Sequence, residues 1–591
     1  MQDGPPTEAA RAAVRMAGAD YDTPILRRDD LGAGARIDGP AIVVDASATT
    51  VIEPGWHAVV ELRGELMLSR SVPLGSARAG TNADPVRLAL MQSLFMAIAE
   101  RMGTALQLSA RSVNIRERLD FSCAIFDASG ALVANAPHIP VHLGSMGDSV
   151  RAVIAGAAMQ PGDAWALNNP YRGGTHLPDI TVIQPVFLPD GPLPAFFVAA
   201  RGHHADVGGI APGSMPARST TLAEEGVLLD GLRVVEGGRL CETELRAALG
   251  AGPWPARNAD QNVADLKAKL AACASGAGEL VAACEAHGAQ TVAAFMAHVQ
   301  DKAADAVRRL TAALADGAFA CALDDGAEVR VAVRVDREAH RLAIDFTGTA
   351  CQRPGNFNAP LAVTRAAVLY VLRLLVAEDV PLNDGFLRPV DLVVPEGSLL
   401  NPRPPAAVVA GNVEVSQIVT DALLGAFGAM AASAGTMSNL TFGDATRQYY
   451  ETICGGAGAG PGFAGADAVQ THMTNSRMTD PEVLETRFPV LVEKFSVRRG
   501  SGGAGLTRGG DGVVRRLKFR EAVTATILSG RRRVAPHGLA GGGPAKSGRN
   551  RVIRADGREH ALEGTAEVAM TAGDAIQIET PGGGGYGEPQ G

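Results

Sequence analysis

Apolar positions recur at helical spacing in several long segments of this 591-residue chain. Residues 85–109 place an apolar residue at every third or fourth position and follow Asp84, a residue type that favours the N-cap of a helix. Residues 257–316 are rich in alanine and carry a polar face, which predicts the longest helical region of the chain. Two shorter helices are predicted, over 360–376 and 412–432.

Strand patterns occupy other parts of the chain. Residues 327–346 alternate between apolar and polar side chains and predict a hairpin, while residues 37–63 are short β-rich runs separated by turn signals. Residues 110–235 contain the strand-like runs ITVIQPVF and AFFVAARG, and the chain turns glycine-rich and β-like after residue 490. Because helical and strand zones are segregated, we expect an α+β fold: a large mixed body with a small N-terminal all-β unit and a glycine-rich, β-like C-terminal region.

The same patterns predict three successive pieces. Residues 1–70 form the all-β unit, and residues 85–588 form the main body. Between them, residues 71–84 are small and polar, which is typical of a flexible linker.

Composition narrows the class of protein. The net charge of −9 and the pI near 5.8 argue against nucleic acid as a partner. The uncharged stretch 422–443 is too polar for a membrane span, and the first residues lack the apolar core of a signal peptide. Seven cysteines without a CxxC pair predict reduced thiols, so we expect a soluble cytoplasmic protein.

Residues able to bind a metal are concentrated in one region, because five of the twelve histidines fall between residues 138 and 204. His176 and Asp179 lie three positions apart beside a proline that disfavours a helix. His203 and His204 precede Asp206, and in an extended segment only one of the two histidines faces a given side. Mixed histidine and carboxylate ligands suit Zn, Mn or Fe(II). The alternative is a set of hydrogen-bonded histidines in a polar core.

Other chemistry is less clearly indicated. His138 and His142 flank Pro140 and are candidates for a general base, although a structural turn explains them equally well. The glycine runs match neither a Walker A loop nor a GxGxxG fingerprint, and no GxSxG nucleophile motif occurs.

Several strings together resemble the hydantoinase B/oxoprolinase family over residues 84–588. Residues 30–70 resemble the C-terminal end of hydantoinase A, the ATP-using partner. The body's resemblance is carried by NIRERLDFSCAIFD, HIPVHLGSM, NNPYRGGTHLPDI, RGHHADVGGIAPGSMP, DFTGT, PLNDGFLRPV, AAVVAGNVEVSQ, GTMSNLTFG, THMTNSRMTDPEVLE and RRRVAPHGL.

The resemblance implies a metal-dependent half of an ATP-dependent enzyme that opens a cyclic amide or imide. An A-type ATPase subunit would activate the substrate with ATP, this chain would bind no ATP itself, and the two would form a hetero-oligomer. The implied ligands of a divalent Zn, Mn or Fe ion are Glu117, His176, Asp179 and His203. The implied catalytic or supporting residues are His142, His204 and Asp206.

The chain departs from the family pattern at two positions, and two other functions stay open. Asn169 stands where the family usually has an aspartate, and Cys454 stands where glycine is usual. One alternative is a subunit of an ATP-dependent ketone carboxylase, a reaction that also occurs in this family. The other is a truncated, non-catalytic remnant of a fused A–B enzyme.

Overall fold

A computed structural model describes residues 7–72, 80–189 and 191–589. The chain divides into two compact units, with the division between residues 79 and 80. Helices contain 27% of the residues and strands contain 29%, and the strands form several open sheets, as expected for an α+β fold. Of the predicted linker 71–84, residues 73–79 lie outside the described residues.

The N-terminal unit is built from two small sheets and one 3₁₀ turn, Arg28–Asp30. Its core consists of small and branched apolar side chains such as Val43, Ile52 and Ala58. The first hairpin precedes the segment in which the sequence pattern predicted strands. The strands of the four-stranded sheet are Glu8–Met16, Ala19–Arg27, Ala41–Val44 and Thr49–Ile52, and those of the three-stranded sheet are Arg36–Asp38, Trp56–Val60 and Leu66–Arg70.

The larger unit contains a seven-stranded antiparallel sheet that carries two of the four predicted metal ligands, Asp179 and His203. Its central pair starts with Asp179 opposite His203 and ends with Val186 opposite Phe196. In spatial order, the strands are Arg239–Leu240, Asp230–Glu236, Ala164–Leu167, Asp179–Val186, Phe196–His203, Phe121–Asp127 and Leu132–Asn135.

Helices cover this sheet. The helix Pro85–Ser109 has the predicted bounds, and the Asp84 carboxylate accepts a hydrogen bond from the Val86 N–H at 2.9 Å. The long predicted helical region is two helices, because Gly288, with φ of 90°, ends the first and starts the second. The helices that contact this sheet or each other are Pro85–Ser109, Pro140–Gly156, Glu242–Leu249, Ala259–His287 and Ala289–Leu310.

A second core forms around a four-stranded sheet and two helices. The predicted hairpin and the helix over 360–376 are confirmed, whereas the helix over 412–432 begins as a π-helical turn and ends earlier, at Ala426. Within this helix the Ser416 hydroxyl donates a hydrogen bond to the Asn412 carbonyl. The elements are Gly317–Ala322, Glu328–Asp336, Arg341–Asp345, Val390–Val393, Leu361–Leu375, Gly411–Val415 and Ser416–Ala426.

The C-terminal region consists of two sheets and of glycine-rich segments whose backbones pack closely against one another. A Cβ on Gly583 would lie 1.9 Å from the Ala457 carbonyl oxygen, so only glycine allows these backbones to touch. One sheet contains Gln448–Glu451, Asn439–Gly443, Val523–Leu528 and Thr565–Met570, and the other contains Val490–Arg498, Gly512–Phe519, Ala575–Glu579, Arg549–Ile553 and Glu559–Leu562. The remaining short helices are Val113–Arg116, Pro170–Arg172, Leu222–Glu224, Asp384–Leu387 and Pro481–Arg487.

Among the helices of the described ranges, none is both long and apolar enough to cross a membrane. All seven cysteines, which lie within those ranges, are free.

Candidate metal centre

Three of the side chains expected to bind a metal meet at one end of the central strand pair. Asp179 opens its strand opposite His203, the last residue of the neighbouring strand, and His176 lies in the turn before Asp179. His176 Nε2 lies 3.1 Å from Asp179 Oδ2, and His203 Nδ1 lies 3.2 Å from Asp179 Oδ1. The two imidazole nitrogens are 3.2 Å apart. These three residues, all buried, are called the ligand cluster below.

The ligand cluster borders a buried cavity of about 20 Å³, the size of one water molecule or ion. Buried polar atoms almost always have hydrogen-bond partners, yet Asp179 Oδ1, which faces His203 Nδ1 without forming a hydrogen bond, has none among the described residues. The outer ring nitrogens of the two histidines, His176 Nδ1 and His203 Nε2, have none either. Adjacent ligands of a divalent ion with bonds of about 2.1 Å lie roughly 3.0–3.4 Å apart, close to the separations here. The residues present therefore fit a divalent metal ion.

Asp179 provides the negative charge of the ligand cluster. Burial alone would raise its pKa, but the neighbouring imidazoles of His176 and His142 outweigh burial and hold the pKa of the Asp179 carboxyl well below its usual range. Burial lowers the pKa of His203, although its contact with Asp179 partly offsets that effect. An ionised carboxylate and a neutral imidazole are the forms that bind metal ions.

His142, a predicted catalytic residue, does reach this site. It lies in the first turn of the helix Pro140–Gly156 and is 2% exposed. Its Nε2 is 3.1 Å from Asp179 Oδ2, and its Nδ1 is 3.4 Å from the Ser122 hydroxyl. His142 Nε2 is therefore placed to donate a hydrogen bond to the Asp179 carboxylate.

The structure does not bring His204 and Asp206 to the cavity. His204 faces the other side of the sheet from His203, where Nδ1 is 2.8 Å from Asn262 Oδ1 and Nε2 is 2.6 Å from Lys269 Nζ. Asp206 is buried in a loop and accepts hydrogen bonds from the Gly208 and Gly213 N–H groups and from Arg257. Both residues support the strand ends rather than line the cavity.

Glu117 also lies outside the ligand cluster. It is the C-cap of the short helix Val113–Arg116, and its side chain remains 28% exposed. Its carboxylate lies 3.9 Å from the Arg116 guanidinium and 4.0 Å from that of Arg487. Because the chain turns after Arg116, the geometry gives no support to Glu117 as a ligand.

Among the residues that line the cavity are three polar ones that were not predicted as site residues: Asp120, Asn412 and Tyr450. The Asp120 carbonyl accepts a hydrogen bond from the His203 N–H at 3.0 Å, because Asp120 directly precedes the strand next to that of His203. Tyr450 stacks on His203 with ring centroids 4.4 Å apart. Asn412 Nδ2 is 3.3 Å from Asp179 Oδ2.

The unusual Asn169 has a local role in the structure. Its side-chain oxygen accepts a hydrogen bond from the Tyr171 N–H at 3.0 Å, which caps a short 3₁₀ turn. An aspartate carboxylate would accept the same bond, so the substitution is compatible with the turn. Among the described residues that border the cavity, Asn169 does not appear.

The class of protein follows from its family. The chain belongs to the hydantoinase B/oxoprolinase family, whose model matches residues 84–589. This confirms the resemblance seen in the motifs.

Curated relatives are named as 5-oxoprolinases. The chain is 44% identical to 5-oxoprolinase 1 of Arabidopsis thaliana over 97% of its length and 47% of the relative. It is 43% identical to 5-oxoprolinase of Dictyostelium discoideum over 96% of its length and 45% of the relative. The chain therefore spans about half the length of these relatives.

That finding corrects the expected partner. The relatives carry the matched region within one longer polypeptide, so the expectation of a separate A-type ATPase subunit and a hetero-oligomer is wrong.

Two solved structures share the fold. The ATP-dependent caprolactamase from Pseudomonas jessenii superposes with a TM-score of 0.76 at 25% identity, over 86% of this chain and 92% of that one. An acetone carboxylase superposes with a TM-score of 0.77 at 18% identity, over 86% of this chain and 76% of that one. The second likeness shows the fold alone.

Proposed function

We propose that this chain supplies the metal-dependent, ring-opening part of an ATP-dependent cyclic amide hydrolase of the 5-oxoprolinase type. The observation that carries the proposal is the ligand cluster itself: three buried ligand groups around an ion-sized cavity, in a chain similar to 5-oxoprolinases. ATP is used outside this chain, by sequence that the longer relatives carry beyond the matched region.

The proposed ion is Zn, Mn or Fe(II), held by His176, Asp179 and His203. When bound, it would act as a Lewis acid on the carbonyl under attack. His142 Nε2 donates to Asp179 and keeps that carboxylate ionised and oriented. Asp120 is the cavity-lining carboxylate besides Asp179, and it would accept a proton from the attacking water, the role expected of His142 or His204.

The first arm of the test measures metal binding. The chelator-treated chain is offered Zn, Mn and Fe(II) separately, and elemental analysis should find about one tightly held ion per chain with at least one of them. The variant His176→Ala/His203→Ala should retain almost none, while His560→Ala, on an exposed strand, should bind like the parent. Equal metal content in all three proteins contradicts the proposal.

The second arm measures activity in a chimera in which this chain replaces the region it matches in 5-oxoprolinase 1. ATP-dependent opening of 5-oxoproline is expected, and His176→Ala should lower kcat more than about 100-fold, since even residues that only support metal ligands affect activity about 10–100-fold. ATP turnover that requires bicarbonate and a ketone would instead assign the carboxylase reaction. Unchanged kcat in His176→Ala would rule out the ligand cluster as the site.

A further inference from the structure

A large cleft of about 680 Å³ lies beside the ligand cluster and is within the size range of small-molecule sites. Its chemistry is unusual because five arginines line it: Arg218, Arg353, Arg531, Arg532 and Arg533. Four acidic residues, Asp324, Asp325, Glu414 and Glu563, line it as well. Whether the cleft attracts an anion depends on which of these charges are already paired.

The acidic groups are all engaged by the protein. Asp324 accepts hydrogen bonds from three successive backbone N–H groups, those of residues 532–534, at 2.7–3.0 Å. Asp325 pairs with Arg353 at 2.8 Å, and Glu563 pairs with Arg533 at 2.8 Å.

The fourth acid, Glu414, is buried and carries less negative charge than usual. It accepts hydrogen bonds from the Gly530 and Met437 N–H groups at 2.6 and 3.1 Å and from the Asn439 side chain at 2.8 Å. Burial raises the pKa of Glu414 to about 7. Its negative charge therefore does not balance the remaining arginines at neutral pH.

Three of the arginines keep donors that make no hydrogen bond within the described ranges. Arg531 is one of them, with Nε and Nη2 buried and unpartnered, but its charge is paired because Nη2 lies 3.6 Å from the Asp421 carboxylate. Arg218 is exposed and has no hydrogen bond or ion pair within the described ranges. Arg353 uses Nη2 for Asp325, but its Nε is buried without a partner. By contrast, Arg532 is fully occupied by Asn550, Ser438 and the Gly530 carbonyl.

The cleft and the cavity of the ligand cluster share a wall. The π-helical turn Gly411–Val415 presents Asn412 to the cavity and Glu414 to the cleft. A hydrogen-bonded path runs the same way, because Tyr450 donates to Asn439 at 2.9 Å and Asn439 donates to Glu414. A molecule in the cleft would therefore lie against the same π-helical turn that borders the cavity.

We propose that this cleft is a recognition site for an oxyanion of the substrate, with Arg218 as the principal contact and Arg353 as the second. Guanidinium groups bind carboxylates and phosphates through paired N–H donors, so either group fits. The inference rests on the proposed function for its substrate class, an acidic cyclic amide whose carboxylate lies in the cleft. A phosphate on the activated substrate is the other source of the same chemistry.

The test is calorimetric titration of the full chain at constant ionic strength with 5-oxoproline, neutral 2-pyrrolidone and inorganic phosphate. Charge-assisted hydrogen bonds contribute about 1.5–3 kcal/mol, so Arg218→Ala should weaken 5-oxoproline binding about 10- to 100-fold. Binding of 2-pyrrolidone should be weak and unaffected by the substitution. Arg499→Ala removes an exposed arginine that does not line the cleft, and it should bind like the parent.

The outcomes separate the two sources of the oxyanion. Loss of 5-oxoproline binding in Arg218→Ala assigns the site to the carboxylate, and loss of phosphate binding alone assigns it to the phosphate. Equal affinity for 5-oxoproline and 2-pyrrolidone excludes the carboxylate as the source. No detectable binding of either anion overturns the proposal, as does an equal effect of Arg218→Ala and Arg499→Ala.

Metal content distinguishes this inference from the proposed function. A chain that loads metal normally but shows no Arg218-dependent anion binding refutes the cleft alone. A chain that binds the anion through Arg218 but loads no metal refutes the metal centre and leaves the cleft.

Discussion

Lys269 is fully buried behind the ligand cluster, on the face of the sheet opposite the cavity. Its ammonium donates to the Ile180 carbonyl at 2.8 Å and lies 3.4 Å from the Gly202 carbonyl, so it joins the residues adjacent to Asp179 and His203. Burial lowers the pKa of Lys269 to about 7. The amine of Lys269, with its unusual pKa, thus contacts the residues next to two proposed ligands, Asp179 and His203.

This lowered pKa makes stability depend on pH. Between about pH 7 and the normal lysine pKa, the unfolded chain binds a proton at Lys269 that the folded chain does not. The free energy of unfolding therefore increases as pH rises through this range, by up to about 1.4 kcal/mol per pH unit. In chelator-treated protein, the midpoint of thermal unfolding of the parent relative to Lys269→Met should therefore increase from pH 7 to pH 9. Lys267→Met, an exposed position on the same helix, should show no such trend. A constant difference for Lys269→Met would contradict the assigned pKa.

Single residues show what the sequence can and cannot reveal about this site. Strand alternation correctly predicted that His203 and His204 face opposite sides, because that rule is local. Asp120 was missed because it joins the site only through the pairing of two strands that are distant in sequence. Glu117, three positions earlier, was selected by resemblance, and no local pattern indicates that its side chain points to solvent.

At the scale of elements, the π-helical turn Gly411–Val415 connects the cavity to the cleft. A Cβ on Gly411 would lie 1.8 Å from the Asn358 carbonyl oxygen, so Gly411→Ala must displace this turn and Asn412 with it. Overpacking of this kind costs about 1–3 kcal/mol, and metal affinity should fall because Asn412 leaves Asp179. Thermal unfolding and metal titration of the variant test this.

The matched control is Gly278→Ala in the helix Ala259–His287, where a Cβ meets nothing within 4 Å. That variant should be more stable by about 0.5–1 kcal/mol, with unchanged metal affinity. If Gly411→Ala behaved in the same way, the close approach at Gly411 would not matter.

Elements whose signals are local were predicted well. The helix Pro85–Ser109 was found to the residue because its cap and its periodicity agree. The helix over 412–432 was drawn too long, since its apolar residues continue past Ala426 into a buried segment that is not helical. The π-helical turn was not predicted, because apolar periodicity does not distinguish it from an α-helical turn.

At the scale of the whole molecule, segregation of helical and strand zones was sufficient to predict the α+β class. The order of the seven-stranded sheet was beyond reach, because paired residues lie up to 81 positions apart, as Phe121 and Gly202 do, and their pairing depends on tertiary packing. The ligand cluster depends on that order, since Asp179 and His203 are partners in it.

The two compact units each contain their own core, which predicts that the larger one folds alone. One core cluster consists of residues 26–60, and the four others consist of residues from 91 onwards. A chain of residues 80–591 should therefore bind metal like the full chain. Its main thermal transition should lie within about 2 °C of that of the full chain, since a loss of 1 kcal/mol shifts the transition of a smaller domain by at least about that much. Calorimetry and elemental analysis of both chains would check this. Lower metal content or a much lower transition in the shorter chain would show that the metal-binding body depends on the N-terminal unit, contrary to the separation of the cores.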